Sequence, residues 1–258
     1  SLIQYHQNNV LPRYNVLLRY YNGDNDIIYK ETKPGFNVVD NKIASSKARY
    51  AVKFGVGYMY SEPVVFNNEN YDCESVIERF MKETNAHQYY TDMERQQLIF
   101  GTGFGLISMD SQSYNEDGVQ PVVTDGLIDG VTPIRQTLDT LSPMNTFVVY
   151  DYSLRPQSLF AVTYNRVDDT KAYPDSKPYN LINVYTPEVD YLYSDESGEF
   201  EIVDSTINPY GSVRVTQWDN DPDRMGVYEL ALDQIDAYDL SQSELANFQQ
   251  IANSPLLL

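Results

Sequence analysis

The stretch that most constrains this chain is its last long helical signal, Asp223 to Ala252, DRMGVYELALDQIDAYDLSQSELANFQQIA. It has no proline, a single glycine close to its start and helix-forming residues throughout. Val227, Ala231, Ile235, Tyr238, Leu245, Phe248 and Ala252 recur at steps of three, four or seven, an apolar stripe broken only at Ser241 and Gln242. Glu229, Asp233 and Asp236 fall on a neighbouring face, and Asp239 and Glu244 extend its negative character. Arg224 is the only base in the stretch. Thirty residues at about 1.5 Å each predict a rod about 45 Å long. One domain of this size does not cover such a rod, so it is expected to pack against copies of itself or against another chain. Periodicity alone fits equally a helix lying on its own domain, because any such helix has one apolar stripe and a charged reverse.

At 258 residues, 42% hydrophobic and 21% charged, the chain reads as globular, with one large domain or two small ones. Its 18 basic and 37 acidic side chains give a net charge of −19. That balance argues against a protein that grips phosphates, since nucleic-acid binders neutralise them with Lys and Arg. It is compatible with a wall past which DNA slides, because a like-charged surface denies the duplex adhesive sites. A lone cysteine, Cys73, rules out an intrachain disulfide. No apolar run approaches 18 residues, so no membrane span is predicted. Ser1 stands where a start methionine is usual and the apolar tail Pro255–Leu258 stops abruptly, so we expect a fragment of a longer protein.

Along the chain, helices are predicted over residues 5–21, 41–59, 72–84 and 85–100. The first carries Pro12 early and Val16, Leu17, Tyr20 and Tyr21 on its apolar side, and Asn22-Gly23-Asp24 stops it. Asp24 to Asp40 reads as an exposed, irregular connection. Asn41 is the expected N-cap of the second helix, whose Ala44, Ala48, Ala51, Gly55 and Tyr58 make a small-residue face and Ile43, Tyr50 and Phe54 a bulkier one. Its Lys42, Lys47, Arg49 and Lys53 make it the most basic stretch, best read as a solvated face and otherwise as a contact for DNA or an acidic neighbour. Pro63–Phe66 is expected as a strand. Residues 103–218 alternate short apolar runs with turn residues and predict an antiparallel β region. Its strands are expected over 103–109, 120–124, 134–141, 146–150, 159–167, 179–186, 190–193, 199–203 and 212–218. Ser111 to Gly130, acidic and glycine-rich, reads as an exposed loop. The expected fold class is therefore α+β: a helical N-terminal part, a mainly antiparallel middle and a long C-terminal helix.

No catalytic, cofactor or metal residues emerge. Gly101-Thr102-Gly103-Phe104-Gly105 has a helix before it and a strand after it, the reverse of a phosphate cradle, so its glycines read as room for close packing. His6 and His87 lack partners at ligand spacing. Asp219-Asn220-Asp221-Pro222-Asp223 invites a calcium reading, but Arg224 stands where the sharp-turn glycine belongs and Leu230 where the bidentate glutamate belongs. A helix-starting acidic cap is preferred there. The 23 tyrosines suit two purposes equally, stacking on sugars in a carbohydrate-binding or adhesion module and building subunit interfaces. An acidic hydrolase is a third class, though no carboxylate pair is singled out.

Several segments resemble the siphovirus-type portal proteins, the ring proteins of tailed bacteriophages. They are Arg19-Tyr20-Tyr21-Asn22-Gly23, Asn41-Lys42-Ile43 with Tyr50, Val56-Gly57-Tyr58 and Pro63, and the run Pro143 to Asp151. Asn208-Pro209-Tyr210-Gly211 with Val213, Val215 and Asn220 follows, then Arg224-Met225-Gly226, Ile235-Asp236-Ala237-Tyr238, Ser241-Gln242-Ser243 and Ala246-Asn247. Arg214 departs from a proline common in that family. The resemblance implies a wing region over 1–222 and a first stem helix over 223–258, truncated before the clip. It implies a ring of twelve copies at a capsid vertex of the virion, assembled in the host cytoplasm and serving as a passive conduit for double-stranded DNA in packaging and ejection. Terminase, head-completion and connector proteins, capsid and scaffold are the implied partners, with no membrane, no cofactor and no catalysis. In that setting Val227, Ala231, Ile235, Tyr238, Leu245 and Phe248 are expected at the subunit interface and Glu229, Asp233 and Asp236 toward the DNA channel. With clip, returning helix and crown missing, this stretch alone is expected to be monomeric.

Overall fold

A computed structural model describes residues 1–31, 39–67, 71–109, 123–124, 127–128, 132–133, 136–168 and 177–253. The helices are α1 (Leu2–Tyr5), α2 (Leu11–Tyr21), α3 (Lys47–Met59), α4 (Tyr71–Glu83), α5 (Ala86–Phe100) and α6 (Leu232–Asn253). The strands are β1 (Thr102–Met109), β2 (Val123–Thr124), β3 (Leu127–Ile128), β4 (Thr132–Pro133), β5 (Gln136–Leu141), β6 (Thr146–Tyr150), β7 (Ser158–Val167), β8 (Tyr179–Tyr185), β9 (Val189–Ser194), β10 (Glu201–Ile207) and β11 (Val215–Asp219). The fold is α+β, with helices toward both termini and antiparallel sheets between them. Two compact units make it up, Ser1–Ser61 with Arg95–Thr102 and Asp219–Leu258, and Glu62–Glu94 with Gly103–Trp218.

In the first unit α1 and α2 are joined by a π turn, His6–Val10, in which the Leu11 N–H reaches the His6 carbonyl. Pro12 explains it: proline has no N–H to give and its ring crowds the carbonyl four residues back, so the helix widens by one residue just before it. At the other end the Gly23 N–H bonds the Tyr20 carbonyl and the Asp24 N–H the Arg19 carbonyl. Gly23 takes φ +80 there, the left-handed glycine stop announced by Asn22-Gly23-Asp24. Tyr14, Leu17 and Tyr20 of α2 are buried, as are Ala48 and Val52 of α3, Leu98 to Phe100 at the end of α5, Tyr228, and Ile235 of α6. Tyr14 packs against Phe100 with ring centroids 5.1 Å apart, and the Tyr228 hydroxyl donates to the Leu17 carbonyl at 2.7 Å. Val16 is exposed, so the apolar side of α2 is narrower than its sequence suggests.

The second unit holds a five-stranded antiparallel sheet in the order β10-β9-β8-β7-β6, and a sheet in the order β11-β1-β5 in which Phe104 pairs with Leu141 and Met109 with Gln136. Phe104, Ala161, Tyr185, Val213 and Val215 form its core, with Leu106, Leu141 and Val148 packed against them. Gly105 has no space for a side chain, because a Cβ there would strike the Tyr89 hydroxyl. Arg214 pairs with Asp190 in a largely buried contact and lies over the Tyr185 ring. Burial raises the Asp190 carboxyl, and Arg214 only partly offsets it.

Several expectations are corrected. The second helix begins at Lys47 rather than Asn41, because residues 41–46 are not helical and the N–H groups of Asn41, Ile43 and Ser45 bond to side chains of the last helix. The connection after α2 is not wholly exposed: Asn25 and Ile27 are buried, and Asp26–Tyr29 forms a 3-10 turn. Pro63–Phe66 joins no sheet among the described residues. Val123–Thr124 and Leu127–Ile128, inside the segment expected as a loop, are short paired strands; the rest of Ser111–Gly130 and the side chain of Cys73 lie outside the described residues.

Candidate functional site on the last helix

The last helix starts later than its sequence suggests. Asn220 donates its N–H to the Gly101 carbonyl at 2.9 Å and Val227 to the Leu98 carbonyl at 2.8 Å, so the chain from 220 to 227 lies backbone against backbone on the end of α5. A Cβ on Gly101 would strike the Arg224 carbonyl, and one on Gly226 the Ile99 carbonyl. Arg224 takes φ +56, which no helix accommodates. A 3-10 turn, Glu229–Ala231, then leads into the 22 residues of α6, a rod of about 33 Å rather than 45 Å.

Two of the acids before the helix, Asp219 and Asp221, are spent on this turn rather than capping α6. Asp219 accepts from Thr102 and Arg224, and Asp221 from the Met225 N–H. No group of three His, Cys, Asp or Glu able to hold a metal gathers among the described residues. Glu229 takes both oxygens to Arg13, at 2.6 Å each, and accepts the Gly226 N–H at 3.0 Å. Burial pushes its carboxyl up, but the guanidinium and the N–H outweigh burial and hold it below the usual value.

One edge of α6 is a polar clamp on its own chain. Asp236, Asp239, Ser243, Asn247 and Gln250 follow at steps of three and four and so share one side of the helix. Asp236 accepts the Tyr20 hydroxyl at 2.6 Å. Burial first, and then this bond, pushes the Tyr20 phenol well above its ordinary value. Asp239 is 0% exposed and accepts from the Asn25 amide and from the Ser45 N–H at 3.0 Å. Ser243 accepts the Ile43 N–H at 2.9 Å and Asn247 the Asn41 N–H at 2.7 Å, while the Asn41 amide reaches Gln250 at 2.9 Å. Alternate N–H groups of the segment 41–45 are thus laid onto α6, as a strand lays its donors onto a neighbour.

The apolar stripe lies elsewhere. At about 100° per residue Tyr238, Leu245, Phe248 and Ala252 sit on the side of the helix away from Asp239 and Ser243. All four are exposed, with Ile251 beside them. Of the other residues expected at an interface, Val227 is exposed, Ala231 half-buried and Ile235 buried in the chain's own core. Of the three acids expected toward a channel, Glu229 and Asp236 are engaged within the chain, and Asp233 is exposed in the first turn of α6. The clamp was missed because polar residues at helical spacing ordinarily mark a solvated face; the repeat of Asp, Ser, Asn and Gln at 239, 243, 247 and 250 was its only sign.

The outcome is a helix fastened by hydrogen bonds along one side and presenting large apolar side chains along the other. Such a surface belongs to proteins that associate. Among the described residues no helix is long and apolar enough to cross a membrane. No curated protein matches the chain. The family described as phage portal protein, SPP1 Gp6-like, matches residues 1–257, and its members are structural proteins of the bacteriophage capsid that form an oligomeric ring. The chain belongs to this phage portal protein family.

Proposed function

We propose that this protein supplies one subunit of a closed ring, twelve copies when full length, that conducts double-stranded DNA through a capsid vertex during packaging and ejection. Residues 1–222 serve as the wing and 223–258 begin the stem. Terminase docks on the ring during packaging, head-completion and connector proteins follow it, and capsid and scaffold surround it. The protein acts as a passive conduit and leaves the energy of translocation to its ATP-driven partner.

The observation that carries this reading is the outward apolar edge of α6, with Leu245 and Phe248 exposed on a helix held rigidly from behind. A net charge of −19 suits a wall past which DNA slides. Asp233 is the acid assigned to that wall, since its carboxylate stays in solvent, whereas Glu229 and Asp236 hold the helix in place. Electron microscopy of the full-length protein tests the reading: closed rings are expected, and a uniformly monomeric protein at micromolar concentration contradicts it.

A further inference from the structure

The helix α3 carries a second apolar surface, unrelated to the clamp. Tyr50, Phe54 and Tyr58 follow at steps of four and are 68%, 64% and 78% exposed. Their rings stack into a ladder, with centroids 6.4 Å apart and planes at 27° for the first pair, and 6.4 Å and 17° for the second. Three rings about two-thirds exposed, each with about 150–250 Å² to bury, hold about 400 Å² of surface, half of what one partner gives to a standard interface.

The charge around the ladder is the reverse of the rest of the chain. Residues 41–61 contain four bases and no acid in a chain of net −19. Three of these four cations are engaged within the chain, while Lys53 stays exposed beside the ladder. Lys42 lies 3.7 Å from Asp40, Lys47 sits 4.8 Å over the Tyr238 ring, and Arg49 donates to the Tyr21 carbonyl and the Asn22 side chain. What the surface offers is flat apolar area in a positive field, which favours an acidic protein face over nucleic acid. Two copies of so acidic a chain repel over most of their surfaces, and here the sign changes. The outward face of α6 has the complementary makeup, Leu245 and Phe248 with the exposed Glu244 alongside.

We propose that the Tyr50–Phe54–Tyr58 ladder docks an acidic, apolar face of a second copy of this chain, a contact between unlike surfaces of the kind that closes rings. The proposal rests on the ring reading above and names the surface it uses. The test is assembly of the full-length protein and of its Tyr50→Ser/Phe54→Ser/Tyr58→Ser variant, followed by sedimentation velocity, circular dichroism and the rate at which tetranitromethane nitrates Tyr50 and Tyr58. The variant is expected to keep its helix content and to need at least tenfold more protein for half-assembly. Assembly of the wild type is expected to slow nitration of both tyrosines at least fivefold. Undiminished assembly of a folded variant, or unchanged nitration, overturns the proposal, as does protection conferred by duplex DNA instead of assembly. Should the variant misfold, the wild-type nitration rates decide. Closed rings with reactive ladder tyrosines leave the ring reading standing and remove the ladder; ladder-dependent assembly into open particles does the reverse. A wild type that never associates defeats both.

Discussion

Asp239 and Glu229 were both legible as acids of the last helix, and neither behaves as a surface charge. Asp239 is fully buried and collects the donors of Asn25 and Ser45. Removing it strands both donors, so Asp239→Ala is expected to lower unfolding free energy by about 2–4 kcal/mol, read from urea denaturation. Glu229 is held below its ordinary pKa by Arg13 and Gly226, against the pull of burial. A depressed folded pKa contributes stability that is present above the ordinary carboxylate value and is lost as pH falls through the folded value. The stability gap between wild type and Glu229→Gln is therefore expected near neutrality and should close on acidification. A gap that widens in acid contradicts this. Arg13→Ala is expected to cost about 1 kcal/mol at neutral pH, a figure kept small because the guanidinium is partly in solvent. Beyond the polar repeat at 239, 243, 247 and 250, neither role is legible in sequence: a carboxylate's partner lies up to 216 positions away, Arg13 for Glu229, and periodicity reports only which side of a helix a residue is on.

Elements were legible where a local rule governs them. The stop after α2 follows from Asn22-Gly23-Asp24, and most strand positions from turn chemistry and alternation, though β10 lies later than expected, at Glu201–Ile207, and β3 and β4 fall where no strand is predicted. The starts of α3 and α6 were misjudged because tertiary donors and acceptors compete with the helix for the same backbone. Asn41, Ile43 and Ser45 give their N–H groups to α6, and residues 220–227 are pinned to the end of α5. Of the glycines in 101–105, expected to make room for close packing, two do so: Gly101 lies against the Arg224 carbonyl at φ +82, and Gly105 against Tyr89. Gly101→Ala and Gly226→Ala each force a methyl into a backbone carbonyl. Each is expected to cost about 2–4 kcal/mol in chemical denaturation, with a loss below about 1 kcal/mol telling against the close approach.

At the scale of the molecule, the α+β class and the portal family were both accessible from sequence, the first from the switch of hydrophobic period and the second from short segments in a fixed order. The inward and outward sides of α6 were not, because its inner edge is as polar as most outer edges are. An apolar stripe left in solvent by its own chain makes sense in an assembly, and in the proposed ring that stripe lies against a neighbour. Leu245→Ser/Phe248→Ser is expected to leave the monomer folded and to weaken assembly at least tenfold. The most direct measurement is an electron cryomicroscopy map of the assembled full-length protein at side-chain resolution, following Leu245 and Phe248. Both side chains are expected to be covered by an adjacent subunit. Finding them in solvent, or covered by their own chain, contradicts the proposed ring.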